Sequence, residues 1–245
     1  MHIFFKITDA ARVMLKTGMG LSMLWKKGAS VASSQILYNC KKFIPELQTV
    51  LDVGANQGQF ALAATHFYPN ASIHAFEPVP ETYAVLQRNT RRSSNIHTYN
   101  FALGSNTGTL EFYSNAYSHA SSALEVSELQ RKTLPFTANV QQIEVPVKRL
   151  DEWLQGIRVN APLLLKLDVQ GFEKEVLKGA ANCMDRVDYL LFETSFVAMY
   201  NGEPLFDEMH NYVKSLDFEF IAPVSFLQSD ELQILQMDLL YRRKK

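Results

Sequence analysis

Two stretches of this chain combine residue types that do chemistry with the spacing that chemistry needs. The first is Val50-Leu51-Asp52-Val53-Gly54-Ala55-Asn56-Gln57-Gly58. An apolar run carries an acid near its end, and a glycine-containing turn then opens a helix. Glycines there let the backbone approach a ligand closely, and free N–H groups at a helix start bind carboxylate or phosphate. The second is Glu77, which follows the apolar run Ser72–Phe76 and lies 25 positions after Asp52 (77 − 52 = 25). An acid at the end of a second strand can bridge the two hydroxyls of a ribose. The glycines read G-x-x-x-G, not G-x-G-x-x-G, and no Lys-Ser/Thr pair follows as in a phosphate-binding loop. The two stretches together fit an adenosine-containing cofactor with an anionic tail and no required pyrophosphate.

The elements that must position these residues alternate. Thr49–Val53 and Ser72–Phe76 read as strands, with helices Gln59–Phe67 and 81–89 after each. A third strand is expected over 95–102 and short strands over 109–113 and 142–147. Leu163–Leu167 is apolar except for Lys166, as suits a central strand covered on both faces. A helix over 172–178, a buried strand over 189–192 and a helix opened by Pro204 follow. Segments 218–222 and 236–241 read as closing antiparallel strands. Between the strands, 114–139 is rich in Ser, Ala and Asn, and reads either as a cover over a site or as a surface loop with one helix. The division expected is an amphipathic helical extension over 1–48 and one α/β domain over 49–245.

Composition bounds the rest. The 245 residues are 47% hydrophobic and 20% charged, with a net charge of −1, which is globular and gives no electrostatic reason for a nucleic-acid partner. Cys40 and Cys183 have no near partners at metal spacing, so neither a structural zinc nor a disulfide framework is expected. No apolar run is long enough to span a membrane. Lys6, Asp9, Arg12 and Lys16 interrupt the first apolar residues, so no signal peptide is read there and a cytoplasmic location is expected. Residues 1–27 pair apolar positions such as Phe4, Ile7 and Met14 with basic ones, which suits packing on the domain, a subunit contact or a membrane surface.

The sequence resembles the FkbM-type S-adenosylmethionine-dependent methyltransferases from about Val50 through Phe192. The resemblance rests on Leu51-Asp52-Val53-Gly54-Ala55-Asn56-Gln57-Gly58, Ala75-Phe76-Glu77-Pro78, Ala102-Leu103-Gly104-Ser105, Val147-Lys148-Arg149-Leu150-Asp151 and Lys166-Leu167-Asp168-Val169-Gln170-Gly171-Phe172-Glu173. Gln170 departs from the family, which often has Glu there. The resemblance implies a class I, Rossmann-like methyltransferase fold: a mostly parallel seven-stranded sheet, helices on both faces and one antiparallel strand. It implies S-adenosylmethionine as cofactor. Asp52, Gly54, Ala55, Asn56 and Gly58 would lie toward its methionine end, with Asp52 facing the amino group. Glu77 would take the ribose, Phe101 and Ala102 would flank the adenine, and Asp168 would sit beside the sulfonium.

The acceptor implied is a hydroxyl on a sugar, glycolipid or secondary metabolite. A sulfonium is a strong methyl donor, so alignment and a general base are what the chain must supply. Asp168 is the first candidate base, or else a cofactor ligand or helix cap. His119 is the second candidate base, or else a bystander in its loop. Glu193 could orient substrate or, with Asp168, ligate a metal. Lys166 needs a buried partner, which Glu173 or Glu193 could supply. The rival readings are a binding protein that keeps the fold without turnover and, disfavoured by glycine spacing, an NAD-dependent oxidoreductase.

Overall fold

The computed structural model describes residues 30–115, 118, 121–128, 131, 140–229 and 231–244. The basic amphipathic stretch 1–27 and His119 lie outside the described residues. Seven strands form the main sheet in the order β3-β2-β1-β7-β8-β10-β9. They are β1 (Thr49–Val53), β2 (Ser72–Phe76), β3 (Ile96–Tyr99), β7 (Leu163–Leu167), β8 (Tyr189–Ser195), β9 (Phe218–Gln228) and β10 (Ile234–Arg243). Only β10 runs antiparallel to its neighbours. A smaller sheet, β4-β6-β5, joins Ala102–Leu103, Val140–Lys148 and Gly108–Asn115.

β1 and β7 are buried along their whole length, as central parallel strands must be when helices cover both faces. Helices α1 (Val31–Cys40), α2 (Gln59–Phe67) and α3 (Pro80–Thr90) bury Leu37, Ala61 and Leu86 on one face, with Val50 and Leu164 of the sheet. Helices α4 (Leu150–Trp153), α5 (Glu173–Gly179) and α6 (Phe206–Ser215) bury Leu150, Val176 and Val213 on the other, with Leu51 and Leu165. Leu37, Cys40 and Ile44 are fully buried in the first of these cores, and Asn39 Nδ2 donates to the carbonyl of Val224 in β9. The expected boundary after residue 48 therefore falls inside one packed unit.

The strand expected over 95–102 is two strands in two sheets. Asn100 Nδ2 donates to the carbonyls of Glu77 and Pro78, which turns the chain there. Ile96–Tyr99 stays beside β2, while Ala102–Leu103 leaves to pair with β6. That departure brings the smaller sheet over the carboxyl ends of β1 and β2. Among the described residues no helix is long and apolar enough to cross a membrane.

Two contacts join β1 to β7 where both strands end. The register sets Asp52 opposite Lys166, and Lys166 Nζ lies 2.8 Å from Asp52 Oδ1. The same ammonium donates to the carbonyl of Gly54 at 3.2 Å and stands 3.6 Å from Asp168 Oδ2. Burial works against the charge on Lys166, but the facing carboxylates of Asp52 and Asp168 outweigh it and hold the ammonium pKa above its ordinary value. The partner is thus Asp52 and not Glu173 or Glu193 as expected. Glu173 instead accepts from the N–H of Val169 and closes its own turn. The second contact is steric. Gly54 has φ +77°, and a Cβ on it would stand 1.9 Å from the carbonyl oxygen of Asp168.

Lys166→Met leaves a buried carboxylate without its partner and should cost about 3–5 kcal/mol in urea denaturation, while Asp52→Asn/Lys166→Met should cost less than the sum of the single changes. Additive losses in that double-mutant cycle would show that the two side chains do not act as a pair. Gly54→Ala should cost about 1–3 kcal/mol or more through overpacking and a strained φ. Gly156→Ala, where a Cβ meets nothing within 4 Å, should be close to neutral and serves as the comparison.

Candidate active site

A cleft opens over the carboxyl ends of β1, β2 and β7. Its floor is the turn Gly54, Ala55 and Asn56. One wall is apolar, made by Phe76, Phe101 and Ala102 with Leu110 and Phe112 from the smaller sheet. The opposite side carries Lys166, Asp168 and Gln170. Ser118, Ser121 and Ala123, from the segment between β5 and β6, also reach the cleft, so the described part of that segment covers the site.

Glu77 is the acid that faces the cleft from β2. It is buried, and both its oxygens are fixed by main-chain donors: Asn56 N–H to Oε2 at 3.0 Å and Val79 N–H to Oε1 at 2.9 Å. The turn after β1 is tied to the same strand end, because the N–H groups of Gly54 and Ala55 donate to the carbonyl of Phe76. Asn56 takes φ +48°, a conformation Asn tolerates better than most residues. Its side-chain oxygen accepts from Ser118 Oγ at 2.9 Å, which links the covering segment to the turn. Burial pushes the Glu77 carboxyl up to about 7, against the pull of its two N–H donors.

Asp168 follows the last residue of β7, and its side chain is 39% exposed. The backbone there doubles back, with Gln170 at φ +57° and Gly171 at φ +92°. This returns the Gln170 side chain toward the strand ends. Its Nε2 donates to Asp168 Oδ1 at 2.6 Å and to Glu193 Oε2 at 3.2 Å. Gln236 Nε2 donates to the same oxygen of Glu193 at 3.0 Å. Asp238 of β10 lies in register with Glu193 of β8. Burial, then the neighbouring carboxylates Asp168, Asp238 and Glu173, hold the Glu193 carboxyl well above the usual range. Burial and Asp168 bring Asp238 up to about 7.

The structure brings Gly54, Ala55, Asn56, Glu77, Phe101, Ala102 and Asp168 together at one cleft, as the sequence reading expects. It does not bring Asp52 there. Asp52 is fully buried behind the turn, on Lys166. Gly58 also stays off the cleft; it is the α2 N-cap at φ +92°, against Leu86 and Thr90. Glu193 reaches the site only through Gln170. Among the described residues no group of three or more His, Cys, Asp or Glu side chains is arranged to hold a metal ion. Lys166, Gln170, Ser118 and Phe112 were not expected at the cleft. For Lys166 a signal existed: Asp52 and Lys166 are each the fourth residue of a five-residue buried run.

The model of the methyltransferase FkbM domain matches residues 52–220. Methyltransferase 1 of Beauveria bassiana is 33% identical over 150 residues, covering 55% of this chain and 59% of that protein. The 2-O-methyltransferase NoeI of Sinorhizobium fredii is 24% identical over 160 residues, covering 63% of this chain and 66% of that protein. The hexuronic acid methyltransferase AglP of Haloferax volcanii is 29% identical over 143 residues, covering 58% and 54%. The matched region thus spans less than two thirds of the length of each of these relatives. With the family model matched over more than half of its length, from the strand end at Asp52 to the closing strands of the sheet, the chain belongs to the FkbM methyltransferases.

Proposed function

We propose that this chain methylates a hydroxyl of a sugar or similarly polyhydroxylated small molecule or glycan, with S-adenosylmethionine as donor. The observation that carries the reading is Glu77: a buried carboxylate at the end of β2, locked by the N–H groups of Asn56 and Val79 and facing a cleft with an apolar wall. Each of its oxygens keeps a lone pair for a ribose hydroxyl. Phe101 and Ala102 suit the faces of an adenine, and the turn Gly54, Ala55 and Asn56 suits the amino-acid end. When bound, the donor supplies a methyl group on a positively charged sulfur. The names of two relatives support the acceptor class, since one is a 2-O-methyltransferase and another acts on a hexuronic acid.

Asp168 stands at the strand end beside the turn, part-exposed and in the cleft. In this reading it accepts the proton of the acceptor hydroxyl as the O–CH₃ bond forms and the S–CH₃ bond breaks. Lys166 Nζ stands 3.6 Å from its Oδ2. Glu193 orients Asp168 through Gln170.

Calorimetric titration tests the cofactor assignment. S-adenosylmethionine and S-adenosylhomocysteine should bind and NAD should not; absence of binding by both sulfur ligands would overturn the reading and favour a protein that keeps the fold without turnover. The pH dependence has a defined sign. Glu77 accepts ribose hydroxyls best as carboxylate, and its proton leaves near pH 7. Affinity for S-adenosylhomocysteine should therefore tighten from pH 6 to pH 8, by up to about tenfold. Glu77→Gln should flatten that dependence and weaken binding by about 10- to 100-fold. Once radiolabelled methyl transfer to a panel of sugar glycosides identifies an acceptor, Asp168→Asn should lower turnover by roughly 10²–10⁴-fold with cofactor affinity nearly kept. Turnover close to that of the unaltered protein would remove Asp168 from the base role.

A further inference from the structure

Gln170 sits where three separate parts of the chain meet. Its backbone carbonyl accepts from Ser122 Oγ at 2.7 Å, and its side-chain Oε1 accepts from Tyr200 Oη at 2.7 Å. Ser122 belongs to the segment between β5 and β6, and Tyr200 to the loop between β8 and α6. These two segments are stitched to each other: Val126 bridges Tyr200, Ser127 N–H donates to the carbonyl of Met199, and Asn201 N–H donates to the carbonyl of Glu125. Glu203 holds the same loop, accepting from the N–H groups of Met199 and Tyr200 and from Ser195 Oγ.

A primary amide has two N–H donors and one acceptor oxygen. In Gln170 all are used. The oxygen takes the Tyr200 hydroxyl, and the two N–H groups reach Asp168 Oδ1 and Glu193 Oε2. Tyr200 on one side and Asp168 and Glu193 on the other thus set which way the amide points. Asp168 Oδ1 is taken by this clamp. Asp168 Oδ2 has Lys166 at 3.6 Å, beyond hydrogen-bond reach, and is left for an acceptor.

The geometry points to Gln170 as a positioning residue: its amide, aimed by Tyr200, holds Asp168 against Glu193 with one carboxylate oxygen presented to the acceptor. It rests on the reading of Asp168 as the group that receives the acceptor proton. A glutamate at this position would place a third carboxyl between two others, and even when protonated it has one O–H donor where the amide has two. The amide makes the bridge at any pH. The charged groups facing the pair are Lys166 and, behind it, Asp52 from the central strands, Asp238 from β10, Glu173 from α5 and, beyond Glu173, Glu203. Four of these five are acids, and the amide stands between Asp168 and Glu193.

The test needs neither cofactor nor acceptor. The protein is labelled with ¹³C at the carboxyl carbons of Asp and Glu, and the Glu193 resonance is followed against pH. Gln170→Met removes both donors at nearly constant volume and should raise the Glu193 midpoint by about one pH unit, because a donor to the charged form is lost. Tyr200→Phe leaves Gln170 in place but frees the amide to turn, and should move Glu193 in the same direction by less. Its effect should vanish in the Gln170→Met background. An unmoved Glu193 midpoint in Gln170→Met, or equal effects of Tyr200→Phe in both backgrounds, would overturn the proposal. If Gln170→Met does not fold, Tyr200→Phe alone decides it: a raised midpoint supports the clamp and an unchanged one refutes it. Calorimetry with S-adenosylhomocysteine on the unaltered protein reports separately on the cofactor reading, so failure of one is not mistaken for failure of the other.

Discussion

The buried ammonium of Lys166 is the interaction on which the rest of this molecule depends. A lone charge in a parallel sheet is strongly disfavoured, and it survives here because three oxygens from two strand ends converge on it. Asp52 neutralises it, the carbonyl of Gly54 accepts from it, and Asp168 faces it from the open side. One cation thus sets the relative positions of the turn after β1 and the turn after β7. Hydrophobic residues of similar shape could pack the same space. They could not fix the carbonyl of Gly54 and the carboxylate of Asp168 with respect to each other. The charge also sets the electrostatics of the cleft, because Lys166 offsets part of the negative field of Asp168, Glu193 and Asp238.

Much of the architecture is legible in the residues because the hydrophobic pattern is local. Buried five-residue runs at Thr49–Val53 and Leu163–Leu167, each followed by a turn and a helix, define a parallel sheet without knowledge of distant contacts. Glu77 is legible for the same reason, since an acid directly after a buried strand lies at the ligand edge of the sheet. Asp52 shows where that logic stops. It also lies near a strand end, but within the strand, and alternation gives it the face that Val50 shares and not the edge. Reading the two central strands side by side pairs its charge with Lys166; reading each alone does not.

The remaining parts of the site were hidden because they depend on contacts between residues far apart in the chain. Nothing near Gln170 announces that Tyr200, thirty positions on, will receive its oxygen. Nothing in 95–102 announces that Asn100 will bond to Glu77 and Pro78 and break the strand there. Both are side chain-to-main chain or side chain-to-side chain choices made after the sheet is assembled. The apolar wall contributed by Leu110 and Phe112 has the same origin: the small sheet exists because Ala102–Leu103 leaves β3's line and pairs with β6.

The missing side chain at Gly54 has a consequence for how such a scaffold can diversify. The turn that floors the cleft and the residue after β7 touch backbone to backbone, with no room for even a methyl group between them. Neither can shift without carrying the other, so the two turns move as a single unit. Variation in what the cleft accommodates must then be written elsewhere, in segments that border the cleft but do not share this contact. The described part of the stretch between β5 and β6, which reaches the cleft at Ser118, Ser121 and Ala123, is such a segment. It meets the two turns through hydrogen bonds at Asn56 and Gln170, which tolerate new lengths and new residues better than packed main chain does.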